Sequence, residues 1–197
     1  VTDEARVRTP PPRLRERRTR TRTCLRDGIV AAAGELLDET GDESAVTLRS
    51  VARRAGITAP SIYRYFPDPP TILLAVAREA FVELAEETHA ALDAAGDDQR
   101  QRLFACCHAY LRYADDHPGR YRAMFGGRCA PAEVCTQLLT EVLSDDRAAD
   151  TGPHADAVAL WLGLHGLACQ RALAPAYPWP VGIADRLIVA LARPLGA

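Results

Sequence analysis

The chain contains no lysine: all 24 of its basic residues are arginine. Its six cysteines, Cys24, Cys106, Cys107, Cys129, Cys135 and Cys169, form no C-x-x-C pair and carry no metal-ligand spacing, so no metal site is expected. No apolar run is long enough to span a bilayer and no secretory signal is seen. A reducing, cytoplasmic setting is therefore expected, with the thiols as small core residues and no membrane partner. No stretch alternates apolar and polar residues as a half-buried strand would, which leaves an all-α fold. No phosphate-cradling glycine loop and no paired-carboxylate arrangement stands out. Cys106, Cys107 and His108 offer a nucleophile and a base side by side, but neighbours on a helix point to different faces and do not share a hydrogen bond. No enzyme activity and no cofactor are expected.

What is present is arranged unevenly. The formal charge of −2 hides a basic first third: residues 1–66 hold 13 arginines against 9 acids, and the remainder holds 11 against 17. The arginine-rich end is the candidate for nucleic-acid contact. A length of 197 residues suits a small domain joined to a larger one. The divisions expected are an Arg-rich flexible tail over 1–20, a DNA-binding head over 21–70, and a helical body over 71–197.

The stretch TLRSVARRAGITAPSIYRYF, Thr47 to Phe66, organises the head. Thr47 can cap a helix whose apolar face is Leu48, Val51, Ala52 and Ala55. Gly56 follows the last periodic residue, where a left-handed backbone would stop the helix, and Ile57 can pack beneath the turn. Thr58 then caps a second helix, with Pro60 in its first turn and Ile62 and Phe66 four residues apart on one face. Two short helices at a tight turn make a helix-turn-helix, whose second helix lies in the major groove with its first residues against base edges. Those residues are Thr58, Ala59, Pro60, Ser61 and Arg64. Arg64 and Arg49 are the candidates for guanine, and Thr47, Tyr63 and Tyr65 for phosphates.

With the following YRYFPDPPTIL, this stretch resembles the N-terminal domain of the TetR family of transcriptional regulators over roughly Arg22 to Ala77. The resemblance implies a three-helix head, a homodimer on double-stranded DNA with a palindromic operator, and a helical body that binds a small effector. Members of the family commonly place a lysine shortly after the Phe, on phosphate at the next helix start. Here that position is Pro69, which leaves the helix N–H groups to hold the phosphate.

Ahead of the motif, a tail with three consecutive prolines and almost no apolar periodicity is expected to be disordered in isolation, its arginines following phosphates when DNA is present. A helix then runs from Thr21 or Thr23 to Thr40 on the stripe Leu25, Ile29, Ala32, Ala33, Leu36 and Leu37. Thr71 opens a long helix to about Ala91. On it Ile72, Val76, Ala80 and Leu84 form one row, Leu73, Ala77, Phe81 and Ala85 the next, and Arg78, Glu79, Glu83, Glu86 and Glu87 face water. Further helices are expected from about Asp98 to Asp116, over HPGRYRAMFGG, and from Pro131 to Arg147.

The last two helices, from Pro153 to Leu173 and around Leu187, are apolar on more than one side. That suits a two-fold four-helix seam using Leu160, Gly163, Leu164, Leu167, Ile183, Leu187 and Leu191, with Gly163 and Gly166 permitting close approach. WLGLHG, Trp161 to Gly166, with HPGRYRAMF resembles a C-terminal subgroup of the family bearing a Trp-x-x-x-His-Gly signature. An effector pocket lined by Phe81, Phe104, Cys107, His108, Leu111, Met124, Phe125, Trp161 and His165 would suit a small hydrophobic or amphipathic ligand. Three functional classes follow: a ligand-responsive repressor, a DNA-binding regulator without a small effector, and a helical enzyme or carrier. Binding to a palindrome separates the third from the others, and release by a small molecule separates the first from the second.

Overall fold

The computed structural model describes residues 12–126, 132–144 and 152–192. Among these residues the chain is all α-helical, with no strand. The first helix, α1 (Pro12–Thr40), starts well before Thr21, so the second half of the expected tail is helical. Pro12 has its φ preset for the first turn, and the arginines that follow are good helix formers. Residues 1–11 lie outside the described residues. α1 ends where Gly41 takes φ +63° and its N–H reaches the Leu37 carbonyl at 2.8 Å.

The motif folds locally as its residues dictate. Thr47 caps α2 (Leu48–Arg54) in a reciprocal box: its Oγ1 accepts from the Ser50 N–H at 3.0 Å, and the Ser50 Oγ accepts from the Thr47 N–H at 2.9 Å. The helix closes in a Schellman turn, with Ile57 N–H on the Ala52 carbonyl at 3.0 Å, Gly56 N–H on Arg53 at 3.3 Å, and Gly56 at φ +66°. α3 (Ala59–Ile62) follows at once. Thr58 holds the cap position in extended backbone, but its hydroxyl bonds the Ser61 hydroxyl at 2.8 Å and makes no side-chain cap, while its carbonyl accepts from the Ser61 N–H at 2.9 Å. Ile62 and Phe66 are buried with Ile29, Ala33, Leu37, Val46, Val51 and Ile72 in a core belonging to the head.

α4 (Pro69–Ala94) is longer at both ends than its apolar rows indicate. Asp68 is its cap, accepting from the Thr71 N–H at 2.8 Å, and both prolines sit in the first turn, where they are tolerated. At 26 residues it spans about 39 Å. Its first turns bury Ile72, Leu73 and Val76 in the head core, and its later turns bury Ala80, Phe81, Leu84 and Leu92 in a second core. That second core is closed by α5 (Gln99–Asp116), α6 (Pro118–Phe125), α7 (Ala132–Ser144), α8 (Gly152–Leu173) and α9 (Ile183–Leu191). Residues 131 and 145–147, expected at the ends of α7, lie outside the described residues. α6 has a foot in each core: Ala123 packs into the head, Tyr121 and Met124 into the body. Trp179 pins the connector after α8, its Nε1–H on the Ala174 carbonyl at 3.3 Å.

Candidate nucleic-acid interface and ligand cavity

Around the two short helices, Thr47, Arg49, Thr58, Pro60, Tyr63 and Arg64 are exposed, while Ala59, Ser61 and Tyr65 are half-buried. Tyr63 shows 61% of its surface, and Tyr65 leans on the head core instead. The arginines here divide by partner. Arg54 bonds Glu35 at 3.1 Å and both carboxylate oxygens of Glu39, which ties α2 to α1 and holds the Glu39 carboxyl below its usual range. Arg49, Arg53 and Arg64 form no ion pair with a described residue, so Arg53 joins the two arginines that spacing singled out.

The start of α4 corrects one expectation. Pro69 and Pro70 have no N–H, and the next N–H, of Thr71, is already bonded to the Asp68 carboxylate. The family's lysine position is therefore not replaced by open helix N–H groups, and Asp68 adds a negative charge there.

Head and body are joined by a polar junction that sequence reasoning missed. Asp38 on α1 accepts at Oδ1 from the backbone N–H groups of Gly119 at 3.0 Å and Arg120 at 2.9 Å, capping α6 from another helix. Its Oδ2 pairs with the Arg120 guanidinium at 2.9 Å, and the same guanidinium donates to Glu83 of α4 at 2.8 Å. Tyr113 donates to Glu83 at 3.0 Å, and burial with that carboxylate keeps the phenol protonated. Glu83 is thus half-buried and engaged in this junction, not simply turned to water. The backbones of α1 and α6 meet so closely that a Cβ on Gly119 would overlap the Leu37 carbonyl, and one on Gly34 would lie 2.7 Å from Arg120 Nε. Gly119 beside Arg120 in HPGRYR was the available signal.

Inside the body a cavity opens between α4 (Phe81, Leu84, Ala85, Thr88), α5 (Cys106, Tyr110), α7 (Cys135, Leu139) and α8 (Leu164). Its volume is ≈ 20 Å³, room for about one water. Of the nine residues expected to line an effector pocket, Phe81 lines this cavity, and His108 and Leu111 line a second, more open hollow bordered by α5, Arg171 of α8 and the start of α9. The reason on α5 is rotational: Cys106 and Tyr110, four apart, face the cavity, and each residue of offset turns a side chain by about 100°. Cys107 and Leu111 are therefore buried elsewhere, Phe104 packs on the body core beneath Arg100, and His108 is outside, its Nε2 at 2.7 Å from Asp185 of α9. Met124 is wholly buried in the same core. Phe125, Trp161 and His165 form an aromatic cluster with Tyr121, the His165 and Phe125 rings 4.4 Å apart. Through it runs a hydrogen-bonded chain: Tyr110 and Tyr121 hydroxyls at 2.7 Å, then Tyr121 and His165 Nδ1 at 2.8 Å. Burial holds His165 below its ordinary pKa, in the neutral form.

The expected partner-facing residues are likewise rotated. Leu160, Leu164 and Leu167 are buried in the subunit's own core. A Cβ at Gly163 would overlap Leu191 and lie 3.1 Å from Leu187, so this glycine serves the packing of α8 on α9 within one chain, and Leu187, Leu191 and Ile183 are half-buried there. On α8 and α9 the large apolar groups most open to solvent are Leu173 at 77% exposure, Leu162 at 56% and Val189 at 53%, with the open Gly166 one helical turn after Leu162.

Two family models match this arrangement. Residues 29–76 match that of the bacterial regulatory proteins of the tetR family, and residues 103–193 match the tetracyclin repressor-like C-terminal domain. The chain belongs to the TetR family of transcriptional regulators. It is 27% identical over 137 residues to the HTH-type transcriptional activator FasR of Mycolicibacterium smegmatis, covering 66% of this chain and 62% of that protein. It is 39% identical over 74 residues to the HTH-type transcriptional regulator AlkX of Mycobacterium tuberculosis, covering 38% and 35%. The chain thus matches less than two thirds of the length of either relative. Among solved structures, the fatty acid degradation regulator FadR of Bacillus halodurans superimposes with a TM-score of 0.65 over 96% of this chain and 99% of that one, at 15% identity, a likeness of fold alone. TetR-family regulators bind DNA through the head and act as dimers. Among the described residues no helix is long and apolar enough to cross a membrane.

Proposed function

We infer that this protein is a homodimeric repressor that leaves a palindromic operator when a small hydrophobic or amphipathic molecule enters its body. The observation that carries this reading is the double duty of α4. One end supplies Ile72 and Val76 to the head core, and the stretch from Phe81 to Thr88 forms a cavity wall. Within that second stretch Glu83 is locked through Arg120 to Asp38 of α1. A ligand larger than the ≈ 20 Å³ cavity must part its walls, and displacement of α4 or α6 reaches the head through this junction. In a dimer it would alter the separation of two recognition helices, set near 34 Å or a multiple by successive major grooves.

Arg49, Arg53 and Arg64 supply the free cations of the reading face, and Tyr63 a large exposed ring. Leu162, Gly166 and Val189 face the second copy, so that α8 and α9 of both subunits form the seam. The experiment is selection of bound sequences from random duplex DNA by the full chain, followed by titration at fixed salt. An inverted repeat bound by two copies is expected. An enriched site without two-fold symmetry, or no enrichment, contradicts the assignment.

A further inference from the structure

The run RERRTRTRT, residues 15–23, contains no apolar residue, yet it is helical and forms early turns of α1. A helix that is polar all round buries no face of its own, and like charges three or four residues apart destabilise it. From Pro12 to Thr23 six arginines stand against a single acid, Glu16, so an anion brought alongside strengthens these turns. The arginines fall on two lines. Arg15, Arg18 and Arg22 continue at spacings of three and four residues through Arg26 into Ile29, Ala33 and Leu37, the line that α1 buries in the head core with Val51, Ile62 and Phe66. Arg13, Arg17 and Arg20 lie on the opposite line, which runs into the exposed Cys24 and has Glu16 four residues before Arg20. The Arg26 guanidinium lies over the Phe66 ring, 5.4 Å from its centre. The first line therefore leaves the head on the side where α3 ends and α4 begins. The start of α4 holds no phosphate there, because Pro69 and Pro70 lack an N–H and Asp68 occupies that of Thr71.

Building on the head as the DNA reader, and on neither a palindromic operator nor release by a ligand, we propose that Arg15, Arg18 and Arg22 grip the DNA backbone beside the bases that α3 reads. The line from Arg15 to Arg26 is about 17 Å long and belongs to the same helix as Ile29 and Ala33 of the head core. Holding it against DNA therefore costs less conformational entropy than ordering a flexible tail. Guanidinium forks match phosphate oxygens two at a time, and phosphates set among these arginines relieve their mutual repulsion. The grip is independent of sequence: it adds affinity and salt dependence while α3 keeps the choice of bases.

The test is the salt dependence of DNA binding by the full chain. The probe is the duplex selected as above with a helical turn of flank on each side, or a mixed-sequence duplex if none is selected. The logarithm of the binding constant falls against that of salt with a slope of about 0.9 for each phosphate neutralised. Arg15→Gln, Arg18→Gln and Arg22→Gln together are expected to make the slope shallower by about 2.7 per bound subunit. The same charge removed from the other line, by Arg13→Gln, Arg17→Gln and Arg20→Gln, is expected to change it by less than half as much. Glutamine is about as good a helix former as arginine, so both variants should melt with the wild type. If a triple variant does not, Arg22→Gln alone should remove about 0.9. An unchanged slope in the first variant, or equal changes in both, overturns the proposal. So does unchanged DNA binding with lost binding to phosphatidylserine vesicles, which would assign the line to an anionic membrane. A shallower slope on a site without two-fold symmetry supports the grip and defeats the palindrome, whereas an unchanged slope on an inverted repeat does the reverse.

Discussion

Single residues carry the contrast between positions that can change and positions that cannot. Gly28 is exposed on α1, and a Cβ added there would meet nothing within 4 Å, so Gly28→Ala is expected to raise stability by about 0.5–1 kcal/mol through helix propensity. Gly119→Ala drives a methyl into the Leu37 carbonyl and is expected to lower stability by about 2 kcal/mol or more, because backbone on both sides resists movement. Denaturant unfolding of both variants reads these opposite signs. On the reading face, Arg64→Ala should cost about 1–3 kcal/mol of discrimination at one base pair and leave unfolding unchanged, as Arg64 has no ion-pair partner among the described residues. Arg54→Ala should do the converse, loosening α2 from Glu35 and Glu39 with little change in base preference. DNA titration paired with thermal melting distinguishes them, and equal effects on both readouts would count against the division.

Among the elements, those built from local chemistry were legible in the sequence. The α2 cap, the Gly56 turn and the start of α3 need only neighbours within five residues, and each falls where Thr47, Gly56 and Pro60 place it. Elements whose faces are chosen by distant packing were less so. An apolar row tells that a helix is buried, but the side that meets a cavity or a partner depends on rotation: Cys106 and Tyr110 line the body cavity, one position before the expected Cys107 and Leu111. The same effect placed Leu164 in a seam when it lies in the subunit's own core. The Asp38 junction left only the local hint of Gly119 beside Arg120, because its partners are about 80 positions apart in the chain. For α8 and α9 this gives a sharp expectation. Leu162→Glu and Val189→Glu should yield folded monomers in sedimentation, while Leu164→Glu should unfold the body, since its charge would be buried without a partner. A folded monomer from Leu164→Glu, or intact dimers from both surface variants, would refute the seam.

Among the described residues two hydrophobic cores share α4 and α6, clamped by Asp38, Arg120 and Glu83. A clamp of this kind transmits displacement, so loosening it should uncouple the two ends without emptying either. Asp38→Asn keeps the shape and weakens the hold on Arg120. It is expected to preserve ligand affinity and operator affinity measured separately, while reducing the effect of one on the other. The decisive quantity is therefore the coupling itself, measured in both directions on the full chain. Operator affinity is titrated with and without saturating ligand, and ligand affinity with and without saturating operator. The same factor is expected both ways, about 5- to 150-fold, and a smaller one in Asp38→Asn. An operator affinity that stays constant while the body is fully occupied would contradict a ligand-driven release through α4.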